Sequence, residues 1–152
     1  MHFEVINLDK TKINKPLQTK WLKKVVGEFN KNKMFKKHKR SVMAFSKSKS
    51  LNIAFVNSTK IKKINHQFRG HNKATDILSF HGDNQGLLGE LILCPKIVKQ
   101  KSRKAKISFQ GMLVYLYIHG ILHLLGFDHE KSKRDATVMF EIQDEIFRTY
   151  KF

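Results

Sequence analysis

The chain has 152 residues, 41% hydrophobic and 28% charged, with 8 Gly and 2 Pro. That composition excludes a disordered or collagen-like chain and fits one soluble globular domain over residues 1–152, a length that buries roughly two thirds of its unfolded surface. Thirty Lys and Arg against 12 Asp and Glu leave a formal charge of +18, a field that draws polyanions, nucleic acid foremost, although a surplus made mostly of lysine also suits solvated faces.

"MHFEVIN" alternates, with Phe3 and Val5 set against His2, Glu4 and Ile6, and reads as a first strand. No cationic head followed by a long apolar stretch opens the chain, so no signal peptide is expected. Pro16 suits the start of a helix whose apolar face is Leu17, Trp21, Val25 and Phe29. The lysine-rich run from Lys31 to Arg40 reads as a loop joining that helix to a short strand, "SVMAFSK", at residues 41–47. "SLNIAFVN", residues 50–57, is apolar on both faces and reads as a central strand. Ser58 is placed to cap a short helix carrying Ile61, Ile64 and Phe68.

Residues 69–76 form a loop in which Thr75 and Asp76 shape the entry to the next strand. "DILSFH" (76–81) and "LLGELILC" (87–94) are strands joined by the hairpin signal "GDNQG". Pro95 begins a helix over 95–105, and Ser108 opens a long apolar one ending near Leu125, with Gly126 as its stop. Residues 111–127 contain no Lys, Arg, Asp or Glu. That run is near the lower limit of the roughly 17–25 residues a membrane span needs. The two histidines and three glycines in it favour a buried core helix with a polar site, and no membrane partner is expected. Ser132 opens a last amphipathic helix carrying Ala136, Met139, Phe140, Ile142, Ile146 and Phe147. The expected fold class is α+β (mixed α/β): a small mixed four-stranded sheet with about five to six helices, and a metal site at the end of the buried central helix.

That site rests on "HGILHLLGFDH". His119 and His123 are four apart, one turn of helix, and can grip one ion. Gly126 then lets the chain turn back and deliver His129. Three imidazoles suit one Zn²⁺ per chain, with a fourth position left open, since structural zinc usually takes four protein ligands and often cysteines. Cys94 is an alternative fourth ligand. It is the only cysteine, so it forms no internal disulfide and points to a reducing cytoplasm. Asp128 and Glu90 could accept a ring N–H from a ligand histidine. His66, His71 and His81 are isolated and read as surface or loop residues. The spacing is that of the metzincin proteases, H-E-x-x-H-x-x-G-x-x-H, but Gly120 stands where their general base Glu would be.

"HGILHLLGFDH" also resembles the signature of the YbeY family, H-G-x-L-H-L-x-G-[YF]-D-H. "INHQFRGHNKATDILSF" (64–80) and "LLGELILCP" (87–95) resemble that family's second and third blocks, in the same order along the chain. Asn72 and Glu90 stand where the family usually has Asp, and His81 where Pro is frequent. The resemblance implies a cytoplasmic, zinc-dependent endoribonuclease acting on single-stranded RNA in maturation of the small ribosomal subunit's RNA, notably its 3′ end, and in ribosome quality control. It implies His119, His123 and His129 as zinc ligands and Arg69 as a catalytic or RNA-phosphate residue; DNA is not an expected partner. Arg69 suits that role, being always charged and offering a planar fork to phosphate. Two other classes remain open: an RNA-binding ribosome-assembly factor whose zinc only holds the fold, and a zinc hydrolase such as a metalloprotease with its base supplied elsewhere.

Overall fold

The computed structural model describes residues 1–83 and 85–152. Along the chain come β1 (His2–Asn7), α1 (Lys15–Lys31), α2 (Lys33–Lys36), α3 (Lys39–Lys47), β2 (Ser50–Phe55), α4 (Ser58–Arg69), β3 (Ile77–His81), β4 (Leu87–Leu93), α5 (Pro95–Ala105), α6 (Phe109–Leu124) and α7 (Lys133–Phe147). The sheet runs β1-β2-β4-β3; β1, β2 and β4 are parallel, and β3 is antiparallel to β4. The mixed four-stranded sheet therefore matches the expected class. β2 is central, with Leu51, Ile53 and Phe55 in the large core shared with α1, α6 and α7, and Ala54 and Val56 in a second cluster with Ile61 of α4.

Most element starts follow local chemistry. The Ser108 and Ser132 side chains each accept a backbone N–H three residues on, and Pro95 opens α5. At α4 the cap is Asn57, whose side chain accepts from the Lys60 N–H at 2.8 Å, one residue before the Ser58 expected from sequence. Asn84 of the hairpin signal lies outside the described residues; beside it, the Asp83 carboxylate accepts from the Gln85 N–H.

The segment after α1 departs from expectation. Residues 41–47 are not a strand but lie in helix α3, and the preceding lysine-rich loop contains α2. Phe29, Phe35 and Phe45 form an aromatic triad with centroids 5.2–5.7 Å apart. All three rings are buried, and a helical path delivers Phe45 to the other two. Asn32 starts α2 by accepting from the Phe35 N–H, and its amide donates to Glu145 of α7 at 2.9 Å. Those long-range contacts outweigh the strand-like look of "SVMAFSK".

Among the described residues no single helix is long and apolar enough to cross a membrane. The uncharged run is α6, nearly all of it buried in the large core. It lies against the sheet at Gly120. A Cβ there would stand 2.6 Å from Leu91 Cδ2 and 3.0 Å from Ile77 Cδ1. Leu91 is fully buried and cannot swing clear. Gly120→Val should therefore overpack this contact and lower stability by roughly 1–3 kcal/mol, read as a lower urea midpoint. An unchanged midpoint would show that α6 does not depend on this close approach.

Candidate metal centre and its cavity

α6 presents His119 and His123 one turn apart, with their Nε2 atoms 3.1 Å from each other. The helix then ends in a Schellman turn. The Gly126 N–H donates to the His123 carbonyl and the Phe127 N–H to the Leu122 carbonyl, both at 3.0 Å, with Gly126 at φ +92°. That left-handed position is why glycine stands there. Beyond it, the Asp128 carboxylate accepts from the Glu130 N–H at 2.8 Å, a tight turn that carries His129 back towards the helix. The ligand nitrogens of His119, His123 and His129 lie within 4.8 Å of one another.

The three side chains fit a metal ion. Two nitrogens each about 2.0–2.1 Å from a tetrahedral ion lie roughly 3.3 Å apart, close to the His119–His123 spacing. The His119 ring is oriented from behind: its Nδ1 is 2.9 Å from Gln143 Oε1 of α7. With that oxygen as acceptor, Nδ1 carries the proton and the Nε2 lone pair faces the other two rings. Burial pushes the His119 pKa below its usual value, and burial with the neighbouring imidazoles pushes that of His123 down to about 4. Both rings are thus held neutral, the state a metal ligand requires.

A cavity of about 690 Å³ opens over the cluster, and its lining includes Arg69, Lys101, Asp128 and Phe140 beside the three histidines. Arg69 ends α4, and its guanidinium donates to the Ser79 carbonyl of β3 at 3.1 Å, which fixes it on this wall. Lys101 of α5 pairs with Asp76 at 2.6 Å. The other Asp76 oxygen accepts from the Ile77 N–H and the Thr75 hydroxyl, so the loop-to-strand turn expected of these two residues also anchors a cation.

The predicted residues part company here. The histidines, Arg69 and Asp128 share the cavity; Glu90 does not. Leu91 faces Gly120 of α6, so the preceding residue in the strand, Glu90, points to the opposite side of the sheet. Asp128 lines the cavity while holding its turn. Cys94 is buried in the second cluster, with Ile61 and Leu78, away from the histidines. His81, read as an isolated residue, lines the cavity. Sequence reasoning missed Gln143, Lys101 and Phe140. For Gln143 the available signal was a polar side chain inside the apolar stripe Met139, Ile142 and Ile146, all buried with it.

The family model described as Endoribonuclease YbeY matches residues 4–151. A protein of Bdellovibrio bacteriovorus named Endoribonuclease YbeY is 40% identical over 147 residues, covering 95% of this chain and 93% of its own. One of the same name from Thermosipho melanesiensis is 31% identical over 137 residues, covering 90% and 91%. Among solved structures, the solution structure of a Thermotoga maritima protein superposes with a TM-score of 0.58 at 27% identity, covering 97% of this chain and 87% of that one.

Removing the Gln143 contact should loosen the metal without abolishing it. Gln143→Leu is expected to weaken zinc affinity by about 10–100-fold in a chelator competition, while Gln143→Glu, which can still accept from His119, retains it. Equal affinity in all three proteins would mean that Gln143 does not orient the ligand. Protons compete with metal only where the imidazoles protonate, and the His123 pKa is lowered from 6.5 to about 4. With the His119 and His123 pKa values both lowered by burial, bound zinc should therefore persist as pH falls from 7.5 to about 6. Release centred near an ordinary histidine pKa would contradict that shielding.

Proposed function

The chain belongs to the YbeY endoribonuclease family, and on that premise we propose that it is a metal-dependent endoribonuclease cutting single-stranded RNA in the three-histidine cavity. One observation carries the reading: a single cavity brings three clustered imidazoles together with Arg69. The donor set of three nitrogens favours zinc, one ion per chain. An ion held there supplies a Lewis acid for a phosphoryl oxygen and acidifies water.

The chain's own residues do the rest. Arg69, fixed on Ser79, offers its remaining N–H groups to the non-bridging oxygens of a phosphodiester and stabilises the charge that builds there during cleavage. Lys101 offers an ammonium donor on the same cavity wall, its charge balanced by Asp76. The net charge of +18 draws the flanking RNA backbone. Gly120 leaves no carboxylate beside His119, and its position is filled by the sheet, which disfavours the protease alternative. The motif blocks support small-subunit ribosomal RNA, and its 3′ end, as the substrate. A lone, buried, unpaired Cys94 is in keeping with a reducing cytoplasm.

Zinc-loaded protein should cut a labelled single-stranded RNA, and both chelator and His123→Ala should abolish cleavage. Arg69→Ala should lower kcat/KM by about 10²–10³-fold with zinc still bound. Cleavage that survives chelator would sink the metal-nuclease reading. RNA binding with steep salt dependence but no cleavage would favour a non-catalytic assembly factor.

A further inference from the structure

One wall of the cavity has no part in the chemistry above. Phe140 sits one turn before Gln143 on α7 and stacks along His129, the rings 27° apart in plane with centroids at 5.5 Å. It is 38% exposed. Among the described residues, the other large exposed apolar side chains (Ile6, Leu8, Leu17, Met43, Phe68 and Phe152) lie outside the cavity lining. The charges around the ring are mixed in the metal cavity and mainly acidic in the neighbouring groove. The metal cavity carries Arg69, Lys101 and Lys131 together with Asp76, Asp128 and Glu130, whereas a groove of about 560 Å³ that Phe140 also lines carries Glu141, Asp144 and Glu145 with Arg148. The groove's excess of carboxylates disfavours phosphate there, which leaves the backbone of a bound strand to Arg69 on the cavity side. An uncharged, flat group suits the exposed face of Phe140. A nucleobase is such a group, and every base has a π-face to stack on an aromatic ring.

Resting on the endoribonuclease reading, we infer that Phe140 is the stacking platform for a nucleobase flanking the phosphate held in the cavity. It is a substrate-binding residue that favours unpaired RNA, because a base within a duplex cannot leave its own stack to reach the ring without losing its pairing.

The test compares wild type, Phe140→Leu and Phe140→Tyr, all zinc-loaded, by equilibrium binding to a single-stranded 2′-O-methyl oligonucleotide and to an abasic strand of the same length. Leucine keeps apolar packing on His129 but has no π-face; tyrosine keeps both. Phe140→Leu should bind the base-bearing strand roughly 5- to 100-fold more weakly than wild type, Phe140→Tyr should match wild type, and all three should bind the abasic strand alike. Equal binding of the base-bearing strand by Phe140→Leu and wild type would overturn the inference. So would an equal loss on both strands, which would make Phe140 only a support for His129. Wild type that binds neither strand would instead bring down the nuclease reading itself, and this inference with it.

Discussion

The close seating of α6 on the sheet governs the site. With no side chain at Gly120, the helix approaches Leu91 and Ile77 until a single added carbon would clash. That contact sets both the depth and the rotation of α6, and so points His119 and His123 at the cavity mouth rather than into the core. The helix end is equally constrained. Two backbone hydrogen bonds and a positive φ at Gly126 turn the chain, and Asp128 closes the turn that brings in His129. A three-ligand clamp thus arises from one helix and its exit, while Gln143 reaches across from α7 to fix the first ring.

Much of this is legible in the sequence because it is local. The i, i+4 histidines, Gly126, Pro95 and the Ser108 and Ser132 caps act over a few residues, and their structural roles follow from spacing alone. Features set by distant contacts are not legible in that way. Residues 41–47 read as a strand because nothing nearby reveals that Phe45 must meet Phe29 and Phe35. Glu90 is misjudged because β4 is apolar on both faces, so alternation does not say which face meets α6. Gln143 lies 24 residues from its histidine partner, and Lys101 25 residues from Asp76.

Gly120 changes its meaning once the fold is known. In the sequence it marks a missing protease base. In the structure it is first a packing residue, and a larger side chain there would disturb the helix that carries two of the ligands. The chemistry of the cavity follows from what surrounds the clamp: a fixed cation at Arg69, the Lys101–Asp76 ion pair, and an aromatic wall at Phe140 beside a mainly acidic groove. A strand bound there is expected to set a phosphate at Arg69 and a base toward the ring.

The central claim is that one ion is held by three imidazoles at the end of α6. X-ray absorption at the zinc edge, on protein shown to cut RNA, tests it most directly. Nitrogen scatterers at about 2.0–2.1 Å with imidazole outer shells, and a further light-atom ligand, are the expected result. A sulfur shell at about 2.3 Å would instead place Cys94 among the ligands and contradict the structure. RNA-cleaving protein free of metal would contradict the account as a whole.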